Sequence, residues 1–175
     1  DAIYPARLAN IPINIRNTNI PEDEGTMITD TAVSSNQVIT GIAGTKDFDV
    51  IAIYKNMMAS EKGFIRKLLT ILEDFDVAIN KKDVEGKVED IVDEIRRKLA
   101  PETIEIFEDV ALIATVGHGM SSRQGTSAKL FTALAEGGVN IRMIDQGASE
   151  MNIIIGVANR DFEKAVRIIY DAFVE

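Results

Sequence analysis

From Val110 to Val116 every residue except Thr115 is apolar. Such a run predicts a strand buried on both faces, because a half-exposed strand would alternate. Gly117, Gly119 and Gly125 then interrupt the pattern, with Ser121 and Ser122 among them. Apolar residues return at helical spacing as Leu130, Phe131 and Leu134, which predicts a helix over 127–136 stopped by Gly137 and Gly138. A strand that empties through a glycine-rich loop into a helix leaves the first helical N–H groups without intrahelical acceptors, and so offers a place to a small anion.

The same plan occurs earlier, offset by 62 positions. Val50, Ile51, Ala52 and Ile53 fall on Leu112, Ile113, Ala114 and Thr115; Met58 falls on Met120, Ser60 on Ser122, Gly63 on Gly125 and Lys67 on Lys129; Leu68, Leu72, Val77 and Ile79 fall on Leu130, Leu134, Val139 and Ile141. Matches of Gly, Met and Ser as well as apolar residues indicate an internal duplication. In the first copy the pattern predicts a strand over 50–54, a helix over 62–75, a strand over 77–79, a helix over 84–99 and a strand over 103–107. The second copy reads as a strand over 111–116, the helix over 127–136, strands over 140–144 and 151–157 about a turn at 145–150, and a helix over 161–173. The last helices of the copies match at an offset of 78, as Val88 with Val166 and Ile91 with Ile169. The first copy is therefore sixteen residues shorter, by the length of a strand hairpin, and the expectation is that residues are missing between Asn80 and Lys81.

Upstream, 1–10 reads as the end of a helix, 11–16 as a strand begun by Pro12, 17–31 as a loop and 38–48 as irregular or short strand. Strand–helix–strand–strand–helix–strand, twice, is the split βαβ plan. The fold class expected is α+β: two ferredoxin-like units with antiparallel sheets and helices on one face. The second copy lacks its closing strand, and 11–16 is assigned to that place, so that the first copy is inserted into the second.

Composition narrows the function classes. The chain of 175 residues is 46% apolar and 27% charged with a net charge of −9, which argues against a nucleic-acid surface. It has no cysteine, so nothing speaks for disulfides or thiolate metal sites. No run approaches the length of a membrane helix, and no leader is visible; a cytoplasmic protein is expected. The start at Asp1 suggests a piece of something larger. No nucleophile–base pair, metal cluster or nucleotide loop is present, so catalysis by this chain alone is not expected. The single histidine, His118, has no partner at ligand spacing and reads as structural.

The strings PARLANIPINIRNT, GTMI, VITGIAGTKDFDVIAIYKN, ALIATVGHGM, AKLFTALAEGGVNIRMIDQGASEMNIIIGV and FEKAVRIIYDAF resemble the regulatory region of bacterial aspartate kinases, a tandem pair of ACT domains. The resemblance implies 1–31 as the end of the kinase region plus linker, 38–108 as the first ACT domain and 109–175 as the second. It implies feedback control by an end-product amino acid, lysine first and threonine next, at ACT–ACT interfaces of a homodimer. ATP and magnesium would belong to the kinase domain, the other expected partner, and this chain would carry no cofactor. The local chemistry offers the N–H groups of Gly63, Phe64 and Ile65 to a ligand carboxylate. By resemblance Met58, Ser60 and Glu61 line the loop side, and Ala78, Ile79 and Asn80 the next strand. The equivalent loop of the second copy, Met120 to Gly125, faces Asn140, Ile141 and Arg142, with Gln146 in the following turn; it is either a second ligand site or a dimer interface. The alternatives are a stand-alone ACT sensor or regulatory subunit, and a pure dimerisation module.

Overall fold

The computed structural model describes residues 3–29, 38–75, 84 and 86–174. It divides into two units, Asp1–Asn36 and Gln37–Glu175; the strand expected over 77–79 lies outside the described residues.

The first unit holds helix α1 (Ile3–Leu8) and strands β1 (Ile13–Ile15) and β2 (Thr26–Ile28). β1 pairs antiparallel with β2, Ile13 facing Ile28 and Ile15 facing Thr26. This corrects two expectations: 17–31 is not all loop, and the strand at 11–16 does not close the sheet of the second copy. A partner ten residues away costs little chain entropy to reach. The loop between the strands is tied by Arg16, which donates to the carbonyls of Pro21 (2.7 Å) and Asp23 (2.6 Å), and by Asn14, which donates to Glu24 (3.1 Å).

The second unit contains strand β3 (Gly41–Tyr54), helices α2 (Phe64–Asp74) and α3 (Val88–Leu99), strand β4 (Thr103–Val116), helix α4 (Thr126–Glu136), strands β5 (Met143–Asp145) and β6 (Asn152–Ala158), and helix α5 (Phe162–Phe173). The helix expected over 84–99 has its regular part from Val88, because Gly86 turns the backbone to φ +76° ahead of it. The sheet runs β3-β4-β6-β5, every pair antiparallel.

β3 and β4 are each fourteen residues long and pair from Gly41↔Val116 to Tyr54↔Thr103. β6 joins β4 only along 110–116. One end of the long ladder therefore belongs to each copy. In the second copy the spatial order is 41–45, 111–116, 152–158 and 143–145, the order of a split βαβ unit whose last strand comes from upstream. The first copy is inserted into the second as expected, but the strand that closes the second copy is 41–45. That strand was obscured in the sequence by Gly41, Gly44 and the charges of Lys46, Asp47 and Asp49. The register slips between Thr45 and Phe48 and again between Phe48 and Val50, and this bulge absorbs the irregular stretch within one strand. Gly44 leaves no room for a side chain, since a Cβ there would lie 2.6 Å from the Phe162 ring.

Each copy has its own core. Ile113, Ile153, Ile155 and Val157 of the sheet pack with Leu130 and Leu134 of α4 and Ala165 and Ile169 of α5. Phe64 and Ile71 of α2 pack with Ile91, Ile95 and Leu99 of α3, with Ile53 and Ile104 beside them. The Thr115 hydroxyl, on β4 between Ile42 and Ile153, is buried without a hydrogen-bond partner; the first copy has Ile53 at this position. An unpaired buried hydroxyl costs its desolvation, so Thr115→Val is expected to stabilise the chain by about 1 kcal/mol. Thermal denaturation checks this: a melting point raised by about 2–4 °C is expected, and a fall would show that the hydroxyl is bonded.

Candidate functional site

The two loop–helix junctions share a plan, a 3-10 turn followed by a left-handed glycine and a helix start, although the turn lies two residues earlier in the second copy. β3 ends at Tyr54, a 3-10 turn covers Met58–Ser60, Gly63 takes φ +77° and α2 starts at Phe64. β4 ends at Val116, a 3-10 turn covers His118–Met120, Gly125 takes φ +83° and α4 starts at Thr126. Both glycines occupy the left-handed region that disfavours any side chain. Neither helix has a side-chain cap; the Phe64 N–H makes a long bond of 3.4 Å to the Glu61 carbonyl, and the other first-turn donors depend on a ligand or water.

At the first junction Glu61 accepts from Lys67 Nζ at 2.7 Å and from Lys55 Nζ at 2.9 Å, with its side chain 29% exposed. Lys55 also donates to the Leu99 carbonyl and lies 5.6 Å from the Phe64 ring, so β3, the loop, α2 and the end of α3 meet at one ammonium. The hydrogen bonds from Lys67 and then Lys55 hold the Glu61 carboxyl below its ordinary titration range. Phe64 is buried, whereas Met58, Ser60 and Ile65 are exposed. Around them stand further exposed apolar side chains, Met57 and Leu69. Ala78, Ile79 and Asn80 lie outside the described residues.

At the second junction there is a cavity of about 270 Å³ lined by Met120, Arg123, Gly125, Thr126, Ser127, Gln146, Glu150 and Ile153. Met120, Gly125 and Gln146 thus come together as the sequence suggested. Asn140, Ile141 and Arg142 go elsewhere. Asn140 is exposed and Ile141 packs on the core. Arg142 donates from Nη1 to the Glu108 carbonyl at 2.9 Å and stacks 5.9 Å from the Phe107 ring. The strand expected from Asn140 begins only at Met143, which turns these three residues away from the loop. Arg123 and Glu150 escaped the sequence reading. The 62-residue offset held the signal for one of them: Arg123 stands where the first copy has Glu61. Glu150 is carried to the cavity by the turn after β5, where it takes φ +55° and its N–H donates to the Gly147 carbonyl at 3.0 Å. A guanidinium, a carboxylate and an uncapped helix start around one cavity complement a zwitterion.

His118 is exposed in its 3-10 turn, where its carbonyl accepts from the Ser121 hydroxyl at 3.2 Å. Among the described residues no group of three His, Asp or Glu side chains is placed to hold a metal, and no helix is long and apolar enough to cross a membrane.

A ferredoxin-like sheet with helical cover and a glycine-started helix after its central strand defines the class, and residues 113–173 match the ACT domain family. The chain is homologous to the regulatory regions of bacterial aspartate kinases. It is 34% identical to aspartokinase 3 of Bacillus subtilis over 188 residues, which cover 99% of this chain and 41% of that protein. The aspartate kinase of Clostridium acetobutylicum superposes with a TM-score of 0.91 at 49% identity, over 99% of this chain and 44% of that one. The regulatory subunit of aspartate kinase from Thermus flavus shares the fold, with a TM-score of 0.63 and 23% identity over 77% of this chain and 98% of its own. The chain thus spans less than half the length of the full kinases it matches.

The Glu61 pairing has a pH signature. A carboxyl whose titration point is depressed on folding stabilises the fold above its unfolded value, about 4.3 for glutamate, and loses that contribution as the pH falls through the depressed value. Melting points of the wild type and Glu61→Gln are expected to differ near neutrality and to converge in acid below that range. A constant gap across the titration would exclude the pairing as its cause.

Proposed function

We propose that this chain is the effector-sensing part of an aspartate kinase. It binds an end-product amino acid, lysine in first place and threonine next, where ACT domains meet, and so lowers the phosphorylation of L-aspartate by ATP in an attached catalytic domain. ATP and magnesium are bound by that domain; this chain supplies no cofactor. The observation that carries the reading is the pair of loop–helix junctions, each with a left-handed glycine and an uncapped helix start, one of them holding an ionised Glu61.

The chemistry follows from the first junction. The ligand α-carboxylate takes the N–H groups around Gly63, Phe64 and Ile65. The side-chain ammonium of lysine competes with Lys67 and Lys55 for Glu61, an exchange that threonine cannot make. The exposed Met57, Met58, Ile65 and Leu69 beside the junction support a homodimer in which a second copy covers them. Ligand held between two copies binds one arrangement of the pair better than another, which is the requirement for allosteric control. The protein would act in the cytoplasm, in the synthesis of lysine, threonine and methionine. A separate regulatory subunit is the second reading, favoured by the near-complete coverage of the Thermus flavus subunit.

Calorimetric titration with lysine, threonine and aspartate tests the proposal. Saturable binding of lysine is expected, with aspartate silent. Glu61→Gln is expected to weaken lysine about tenfold, the loss of one charge-assisted hydrogen bond, and to leave threonine unchanged. No binding of either lysine or threonine would overturn the reading.

A further inference from the structure

The two copies are joined where β3 and β4 leave one sheet and enter the other. β6 stops pairing at Val110↔Ala158, so the ladder crosses this point on two strands alone. The slip in register falls here, and on it stand two residues in the left-handed region, Asp47 at φ +67° and Asp109 at φ +62°. A non-glycine residue is uncommon there, and the two are on facing strands.

One side chain binds both. Asn159 opens the 3-10 turn Asn159–Asp161 ahead of α5. Its Nδ2 donates to Asp47 Oδ1 at 2.8 Å and to Asp109 Oδ1 at 2.9 Å, and its Oδ1 accepts from the Asp47 N–H at 3.1 Å. Both amide hydrogens and the carbonyl are used, and the donors keep two carboxylates side by side. Arg142 adds a bond to the backbone of Glu108, and Lys46 is paired with Glu163 at 2.7 Å. The residues that grip, Asn159, Arg142 and Glu163, all belong to the second copy. What they grip is the slip through which the chain passes to the first.

We propose that the Asp47–Asn159–Asp109 clamp is the hinge between the two ACT units. It sets the angle between them, and through it occupancy of one loop–helix junction is felt at the other. The coupling rests on the function proposed above; the hinge does not. Asn159 is a positioning residue, touching no ligand in this scheme.

The absence of cysteine makes the test direct. Glu73→Cys on α2 and Glu136→Cys on α4, both exposed, take spin labels, and pulsed electron paramagnetic resonance reads the distance between the units. A narrow distribution is expected with Asn159 present. Asn159→Ala is expected to broaden it about twofold, as a released hinge would. Asn159→Asp, which puts a third carboxylate between two, is expected to broaden it at least as much. Amide exchange at Ile71, Ile91, Leu130 and Ile155 should be unchanged, which separates a hinge from a residue needed for folding. Equal widths in all three proteins, or loss of protection in either core, would overturn the proposal. A lysine-induced change of distance in the wild type that is absent in Asn159→Ala supports the coupling. A released hinge with no lysine effect in either protein refutes the coupling and leaves the hinge.

Discussion

Everything in the larger unit depends on one shared ladder. Two antiparallel strands of fourteen residues run through both copies, and each copy lays its own helices on its own end. The ladder slips in register where it passes from one copy to the other, and there Asp47 and Asp109 hold a left-handed backbone and are bound by Asn159. The insertion of one copy inside the other follows. The second copy's last strand and the first copy's first strand are the same piece of chain.

The duplication kept backbone and changed charge. Gly63 and Gly125 hold the same left-handed turn, while Met58 opens its 3-10 turn and Met120 closes its own. Both helices offer donors at the same point. Around them, Glu61 with two lysines in one copy is replaced by Arg123 with Glu150 nearby in the other. Backbone shape sets where a carboxylate can sit, and side chains set which ligand is preferred there. A single scaffold thus presents two junctions of unlike charge.

The core shows the same division. Phe64 fills the space beneath the first junction, where the second copy has Thr126; Ile53 is answered by Thr115. The second copy holds its helices with a four-stranded sheet, whereas the described part of the first has two strands, and Tyr54, Ile106 and Phe107 near their ends stay partly in solvent. Apolar surface of this kind favours a covering partner.

The sequence by itself determined the repeat, the helices, the glycine-started junctions and the fold class, because each rests on local spacing: apolar residues at helical or strand periods, and glycine where only glycine is unstrained. Met120 and Gly125 stood out through the repeat, whereas Gln146 came from the resemblance alone. Tertiary structure alone decided which strand closes the second sheet, since 11–16 shows the clearer alternation while 41–45 carries two glycines, and the choice lay in pairing with distant strands. It also decided that Arg142 turns to the junction of the copies, and that Glu150 and Arg123 line one cavity. Those placements depend on contacts across long stretches of chain, between groups whose attraction has no local pattern for a sequence to display.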